Sequence, residues 1–142
     1  MTSTQAEIEV SYDVSNEFFK LWLDEYMHYT SASYLTGDET LEQAQLQKCK
    51  ILADYAEVTP DSFVLDIGCG WGANLEYLVR HRDVKRAHGI TLSTAQCDWI
   101  HEDKKLPGVK AIVCDYAKYE PEEKYDGLIS IEMIDHLCSP EQ

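Results

Sequence analysis

The sequence predicts an α/β fold, a parallel sheet with helices packed on it. Three observations carry this expectation. Short apolar runs alternate with segments of helical period from residue 59 onward, and the links between them are short. One run, Val64-Leu65-Asp66-Ile67, passes straight into Gly68-Cys69-Gly70-Trp71-Gly72. Three glycines in five residues remove the Cβ atoms where a chain must turn sharply and where backbone can approach a ligand.

The elements follow in order. Val14, Phe18, Leu21 and Trp22 fit one face of a first helix from Val14 to Leu23, with Asp13 as its N-cap. After a polar stretch, Thr40-Leu41-Glu42-Gln43 fits a capping box opening a long helix to about Glu57, with Leu46, Cys49, Ala53 and Ala56 as its core stripe. Pro60-Asp61 punctuates the approach to a strand at 63–67, and Leu75, Leu78 and Val79 mark a helix from Ala73 to His81. A second strand covers Arg86 to Ile90. Ser93-Thr94-Ala95-Gln96 is a second capping box, for a helix that stops before Pro107-Gly108. Val109 to Cys114 and Tyr125 to Ile131 read as third and fourth strands.

This divides the chain into an N-terminal helical cap region, 1–58, and a sheet region, 59–142, that reaches a fourth strand. Sheets of this type usually carry two or three more, so the sequence reads as the front half of a domain. Parallel strands with right-handed crossovers place all their carboxyl ends at one edge, where ligands collect. Those ends are 66–72, 91–96, 114–116 and 131–136.

Composition narrows the partners. Twelve Lys+Arg against 26 Asp+Glu give a net charge of −14, which opposes nucleic acid and anionic membrane surfaces. Nothing approaches eighteen continuous apolar residues, and Met1 to Glu7 has no secretory pattern, so the expectation is a cytoplasmic protein without an integral membrane segment. Cys49, Cys69, Cys97, Cys114 and Cys138 form no C-x-x-C pair and are expected to be reduced. His136 and Cys138 are an isolated H-x-C, so no metal site is expected.

Gly68, Gly70 and Ala73 satisfy G-x-G-x-x-A, a pattern shared by dinucleotide enzymes and methyltransferases. Asp66 separates the two. A carboxylate two residues before the first glycine repels a pyrophosphate but attracts S-adenosylmethionine, which carries a sulfonium and an ammonium. About twenty residues on, where NAD enzymes place an acid for the ribose, the chain reads His88-Gly89-Ile90-Thr91-Leu92-Ser93. The cofactor expected is therefore S-adenosylmethionine.

Longer motifs add a resemblance. Tyr12-Asp13-Val14-Ser15-Asn16-Glu17-Phe18-Phe19, Leu23-Asp24 with Tyr29-Thr30-Ser31-Ala32, Leu41-Glu42-Gln43-Ala44-Gln45, the run 65–72, and Gly89-Ile90-Thr91-Leu92-Ser93 with Gln96 occur in this order. Together they resemble the cyclopropane fatty acid synthase and mycolic acid cyclopropane synthase family of S-adenosylmethionine-dependent methyltransferases, from about Tyr12 to the end.

The resemblance implies a Rossmann-like class I methyltransferase fold and a set of site residues. Tyr29 and Thr30 would hold the methionine carboxylate, Gly68 and Gly70 would lie against the methionine part, and Asp66 would sit close to its ammonium. Thr91, Leu92 and Gln96 would contact the ribose, although Gln96 is also a capping-box residue. Asp115 and Tyr116 would flank the adenine, although Asp115 also fits a turn. The family's bicarbonate base is held by a Cys after its Y-S pair and by a later E-H. Here those positions are Ser31 and Asp135-His136, which makes Ser31, Asp135 and His136 the candidate catalytic residues.

The reaction implied is transfer of a methyl group to a carbon of an unsaturated acyl, lipid or natural-product acceptor, with a base then removing a proton. Methylation is favoured over cyclopropane formation because the bicarbonate ligands are altered. The remaining alternatives are O- or N-transfer, an NAD-dependent oxidoreductase, and a non-catalytic cofactor-binding fragment whose sheet a second copy or another chain completes.

Overall fold

The computed structural model describes residues 15–133. Its elements are α1 (Asn16–Phe19), α2 (Leu41–Tyr55), β1 (Phe63–Ile67), α3 (Ala73–Arg82), β2 (Arg86–Thr91), α4 (Thr94–Asp98) running into a π-helical turn (Trp99–Lys104), β3 (Val109–Val113), a 3-10 turn (Tyr116–Lys118) and β4 (Gly127–Ser130). The four strands form one parallel sheet in the order β3-β2-β1-β4. Chain order reverses between β1 and β4, so the crevice at their carboxyl ends is the topological switch point of the sheet.

One face of the sheet carries small residues. Val64 is level with Ala87 and Gly127, and Asp66 with Gly89 and Ile129. Small side chains let helices approach closely: a Cβ on Gly89 would lie 2.7 Å from both Cys69 Sγ and Leu75 Cδ1. Cys49, Ala53, Val58, Leu75, Leu78, Val84, Ile100 and Ile129 join the strands in one core cluster on this side. Burial of this apolar surface, at about 25 cal/mol per Å², is what holds α2 and α3 to the sheet. Among the described residues, Lys110 and Leu128, which point to the other face, stay exposed.

Most elements lie where the sequence places them, with the following differences. The first helix is short. Asp13 and Val14 lie outside the described residues, and Ser15 caps α1, its Oγ accepting from the Phe18 N–H at 3.1 Å. Beyond Phe19, Leu21 and Trp22 donate to carbonyls three residues back, so the α-helix has ended. The expected apolar stripe of Phe18, Leu21 and Trp22 is half or more exposed, while Phe19 is buried with Trp71 and Met27 in a second, aromatic cluster.

The second helix has the expected capping box: Thr40 Oγ1 accepts from Gln43 N–H and Gln43 Oε1 accepts from Thr40 N–H. It stops at Tyr55, two residues early, because Glu57 takes a left-handed φ of 51°. Its buried face holds Ala44, Gln45, Lys48, Cys49 and Ala53, with Leu46 and Ala56 half-buried, so two polar residues share the stripe.

The capping box at Ser93 forms by half. Ser93 Oγ accepts from Gln96 N–H, but Gln96 Oε1 accepts from the Thr91 hydroxyl at 2.7 Å. The helix that follows widens into a π turn, which delivers Ile100 onto the glycine loop. β4 covers Gly127–Ser130 rather than 125–131. Tyr125 leaves the ladder to stack on Phe63 and bond His88 Nδ1 at 2.7 Å, and the Asp126 carboxylate takes the Phe63 N–H at 2.7 Å.

Candidate cofactor and active site

The glycine loop is sewn to β2: Gly68 and Cys69 both donate to Ile90 O, at 2.9 and 3.0 Å. Its three glycines all have positive φ, 76°, 53° and 77° for Gly68, Gly70 and Gly72, but they face different surroundings. A Cβ on Gly68 would lie 2.8 Å from Met133 Cγ, and one on Gly72 would lie 2.7 Å from Ile100 Cγ1. One on Gly70 would meet nothing within 4 Å among the described residues. Gly68 and Gly72 thus serve packing, and Gly70 borders the open crevice. We expect Gly70→Ala to weaken S-adenosylmethionine binding by at least tenfold in calorimetry, with a stability cost of only about 1 kcal/mol from the left-handed φ. Unchanged affinity would show that no ligand rests on this loop.

Asp66 lies beneath that loop and is 1% exposed. Its Oδ2 accepts from Asn74 Nδ2 at 3.2 Å, while Asp66 Oδ1 and Asn74 Oδ1 are buried without a hydrogen-bond partner. Burial pushes the carboxyl up to about 7, against the hydrogen bond from Asn74, which lowers it. A buried carboxylate with an unpaired oxygen favours a nearby cation, and together with the open space above Gly70 it fits the cationic cofactor expected from the sequence.

Opposite the glycine loop runs the segment Tyr29-Thr30-Ser31. Tyr29 is half exposed and packs edge-on against Phe19 and Trp22, with the Trp71 ring 6.3 Å away. The segment is held from below by α2. Gln45 Nε2 donates to Thr30 O at 2.8 Å, and Lys48 Nζ donates to Thr30 Oγ1, to Ser31 O at 2.9 Å and to Gln45 Oε1 at 2.6 Å. Burial pulls the Lys48 amine below its ordinary value, while the charges of Cys49, Glu132 and Asp24 oppose that shift.

A second buried group anchors the start of the segment. His28 N–H and Nδ1 bond the two carboxylate oxygens of Asp24, at 2.7 and 2.8 Å, and His28 Nε2 lies 3.3 Å from Cys49 Sγ. The order Asp, His, Cys looks nucleophilic, but Cys49 is fully buried and its thiol is pushed up to about 12 by burial, with Lys48 opposing. Burial also works against ionisation of Asp24, yet its bonds to His28 outweigh this and hold it below the ordinary carboxylate value. The thiol therefore stays protonated, and the His28 ring bridges it to the Asp24 carboxylate. The triad is a strut.

At the β2 exit Thr91 and Gln96 are buried and bonded to each other, and Leu92 is half-buried. Asp115 Oδ1 accepts from Ala117 N–H at 3.0 Å, so it caps the 3-10 turn, and Tyr116 beside it is 39% exposed. The sheet edge thus gathers Asp66, Gly68, Gly70, Thr91, Leu92, Gln96, Asp115 and Tyr116. Tyr29, Thr30 and Ser31 join them through a link from Ser31 to Glu132: Ser31 N–H and Oγ both donate to Glu132 Oε1, the former at 3.0 Å. Asp135 and His136 lie outside the described residues.

Lys48, Gln45, Trp71 and Glu132 were not singled out by sequence reasoning. Lys48 and Gln45 carried a usable signal, since polar residues three apart fell on the apolar face of α2. Glu132 carried none beyond standing at a strand exit. No group of three or more His, Cys, Asp or Glu suited to a metal occurs among the described residues, and no helix there is long and apolar enough to cross a membrane.

Residues 1–141 match the family described as mycolic acid cyclopropane synthetase. The chain belongs to this family. A cyclopropane mycolic acid synthase 2 from Mycobacterium bovis is 48% identical over 131 residues, covering 89% of this chain and 42% of that protein. A probable fatty acid methyltransferase from Pseudomonas putida is 36% identical over 139 residues, 94% of this chain and 35% of that one. Among solved structures, the mycolic acid cyclopropane synthase CmaA1 complexed with SAH and CTAB superposes with a TM-score of 0.81 at 29% identity, over 92% of this chain and 46% of that one. The chain therefore spans less than half the length of these cyclopropane synthetase relatives. The parallel sheet with its flanking helices is that of class I methyltransferases, in part of the domain, as the sequence predicts. Family membership also stands against the dinucleotide alternative.

The bicarbonate expected from the family does not fit at Ser31 as the site is built. Both Ser31 donors already hold a carboxylate, that of Glu132, and a second anion there meets a like charge.

Proposed function

We propose that the chain carries the cofactor half of an S-adenosylmethionine-dependent methyltransferase acting on a carbon of an unsaturated acyl, lipid or natural-product acceptor. The observation that carries this is Asp66, a buried carboxylate with one unpaired oxygen beneath an open glycine loop. When bound, S-adenosylmethionine supplies an electrophilic methyl on its sulfonium.

The chain's own residues bind and orient. Gly70 lets the backbone approach, and Asp66 attracts the ammonium. Tyr29 and Thr30 receive the carboxylate, with Lys48 beneath adding positive charge. Thr91, Leu92 and Gln96 border the ribose, and Asp115 and Tyr116 border the adenine. Methyl transfer is an in-line displacement, so this positioning is the main contribution asked of the protein. His136 and Asp135, at the exit of the fourth strand, remain candidates for moving a proton on the acceptor side.

Ring closure to a cyclopropane is the second reading, favoured by the 48% identity to a protein named as a cyclopropane synthase. The substrate class follows the same relatives; with a charge of −14, a soluble acyl acceptor is preferred over a membrane surface, in the cytoplasm. The test is intact-mass analysis of unsaturated acyl acceptors incubated with the protein and S-adenosylmethionine. A gain of one CH₂ is expected, and proton spectra of the product separate a branch from a ring. Failure to bind S-adenosylmethionine alongside tight binding of NAD would overturn the reading.

A further inference from the structure

We propose that Glu132 is a built-in anion of the active site: its side chain fills the oxyanion position at Ser31 and serves as the proton acceptor of the reaction. The inference rests on the methyl-transfer reading above.

Four observations support it. Glu132 Oε1 accepts from both donors of Ser31. The residue stands two positions after β4, at the switch-point end of the sheet, and next to Met133, whose side chain packs against Gly68. Its backbone takes a φ of 53°, a left-handed conformation that disfavours a side chain and suits glycine. Finally, Lys48 beneath Ser31 is buried and donates to the Ser31 carbonyl, so the segment that receives Glu132 is held in place from below.

The step balances without an external base. The acceptor's double bond forms a C–C bond to the methyl carbon as the C–S bond breaks, the sulfur leaving as a neutral thioether and the acceptor left as a carbocation. Glu132 takes one proton, and the released C–H electron pair closes the ring or forms a new double bond. The protonated carboxyl then returns its proton to water.

The test uses the whole chain with two variants, E132Q and E132G, and two readouts. In the first, ¹⁵N spectra follow the Ser31 amide during titration with bicarbonate. The wild-type signal is expected to stay in place, because its donors are occupied, whereas in E132G it shifts with millimolar bicarbonate. Bicarbonate binding at Ser31 in the wild type would overturn the proposal. In the second, methyl transfer is measured in carbon-dioxide-free buffer. Wild-type transfer should continue, E132Q should lose at least 100-fold with S-adenosylmethionine affinity unchanged, and added bicarbonate should rescue E132G. Full transfer by E132Q, or dependence of the wild type on bicarbonate, would overturn it.

If the wild type binds S-adenosylmethionine but methylates no acceptor, the amide titration alone decides. If it does not bind S-adenosylmethionine, the parent reading has failed, and the shift of Ser31 in E132G still reports whether Glu132 fills an anion site.

Discussion

Asp66→Asn is expected to weaken S-adenosylmethionine binding by at least 100-fold, about 3 kcal/mol, while leaving the cofactor-free protein folded and more stable. The two effects share one cause. Asp66 is 1% exposed, one of its oxygens has no partner, and burial pushes its carboxyl from the ordinary 3.8 up to about 7. An acid whose pKa rises on folding binds its proton more tightly when folded, so the native state loses stability as pH climbs from 3.8 toward 7. Above 7 the loss is complete, on the order of 4 kcal/mol at most. The amide of D66N carries no charge to desolvate and escapes this loss. Urea titrations of both proteins should converge near pH 4 and diverge by pH 8.

A bound cation reverses the balance, because it favours the ionised carboxylate. Binding should then release part of a proton near neutrality, and affinity should rise about fivefold between pH 6 and 7 as the ionised fraction grows from about a tenth to a half. Calorimetry in two buffers of different ionisation enthalpy measures the proton directly. A flat pH profile, or the same slope in D66N, would show that the cofactor's charge is met elsewhere.

Trp71→Ala is expected to cost about 3–5 kcal/mol, the range for emptying a buried aromatic site. Trp71 is 1% exposed within the glycine loop, its ring centroid lies 4.6 Å from that of Phe19, and its Nε1–H donates to Asn16 Oδ1 at 2.8 Å. It is the rivet between the cap region and the loop. The loss should be local before it is global: amides of Phe19, Leu23 and Met27 should exchange at least 100-fold faster, while those of β1 and β2 change little. Cofactor affinity should fall at least tenfold, since Tyr29 loses a neighbour in the same cluster. Unchanged protection at Phe19 would mean that the cap is held by something other than this ring.

The sheet was legible in the sequence because parallel strands buried on one face or both are near-continuous apolar runs, and Phe63 to Ile67 is such a run. The long helix was legible because Thr40 and Gln43 satisfy each other's backbone, a strictly local device. The same reasoning misjudged α1, where no local device competes with tertiary contact: Phe19 turns inward because Trp71, more than fifty residues away, offers a face to pack on. It also read Ser93 and Gln96 as a complete box, when Gln96 has the Thr91 hydroxyl as a better partner.

The same division runs through the site. Asp66 and the glycines are fixed by adjacency in the chain and could be read directly. Lys48, Gln45 and Glu132 matter through partners 15 to 101 positions away, which no spacing rule reaches. Asp135 and His136 lie outside the described residues.

The order β3-β2-β1-β4 bears on how the molecule is made. A nascent chain leaving the ribosome can assemble β1, β2 and β3 as each emerges, but the strand that flanks β1 on its other side, and the glutamate that clasps Ser31 across 101 positions, arrive only after all three. Until then the crevice has one wall missing and Asp66 has no complete pocket to share with a ligand. Cofactor cannot chaperone the early stages of synthesis, so the first three strands must rely on their own ladders and apolar contacts.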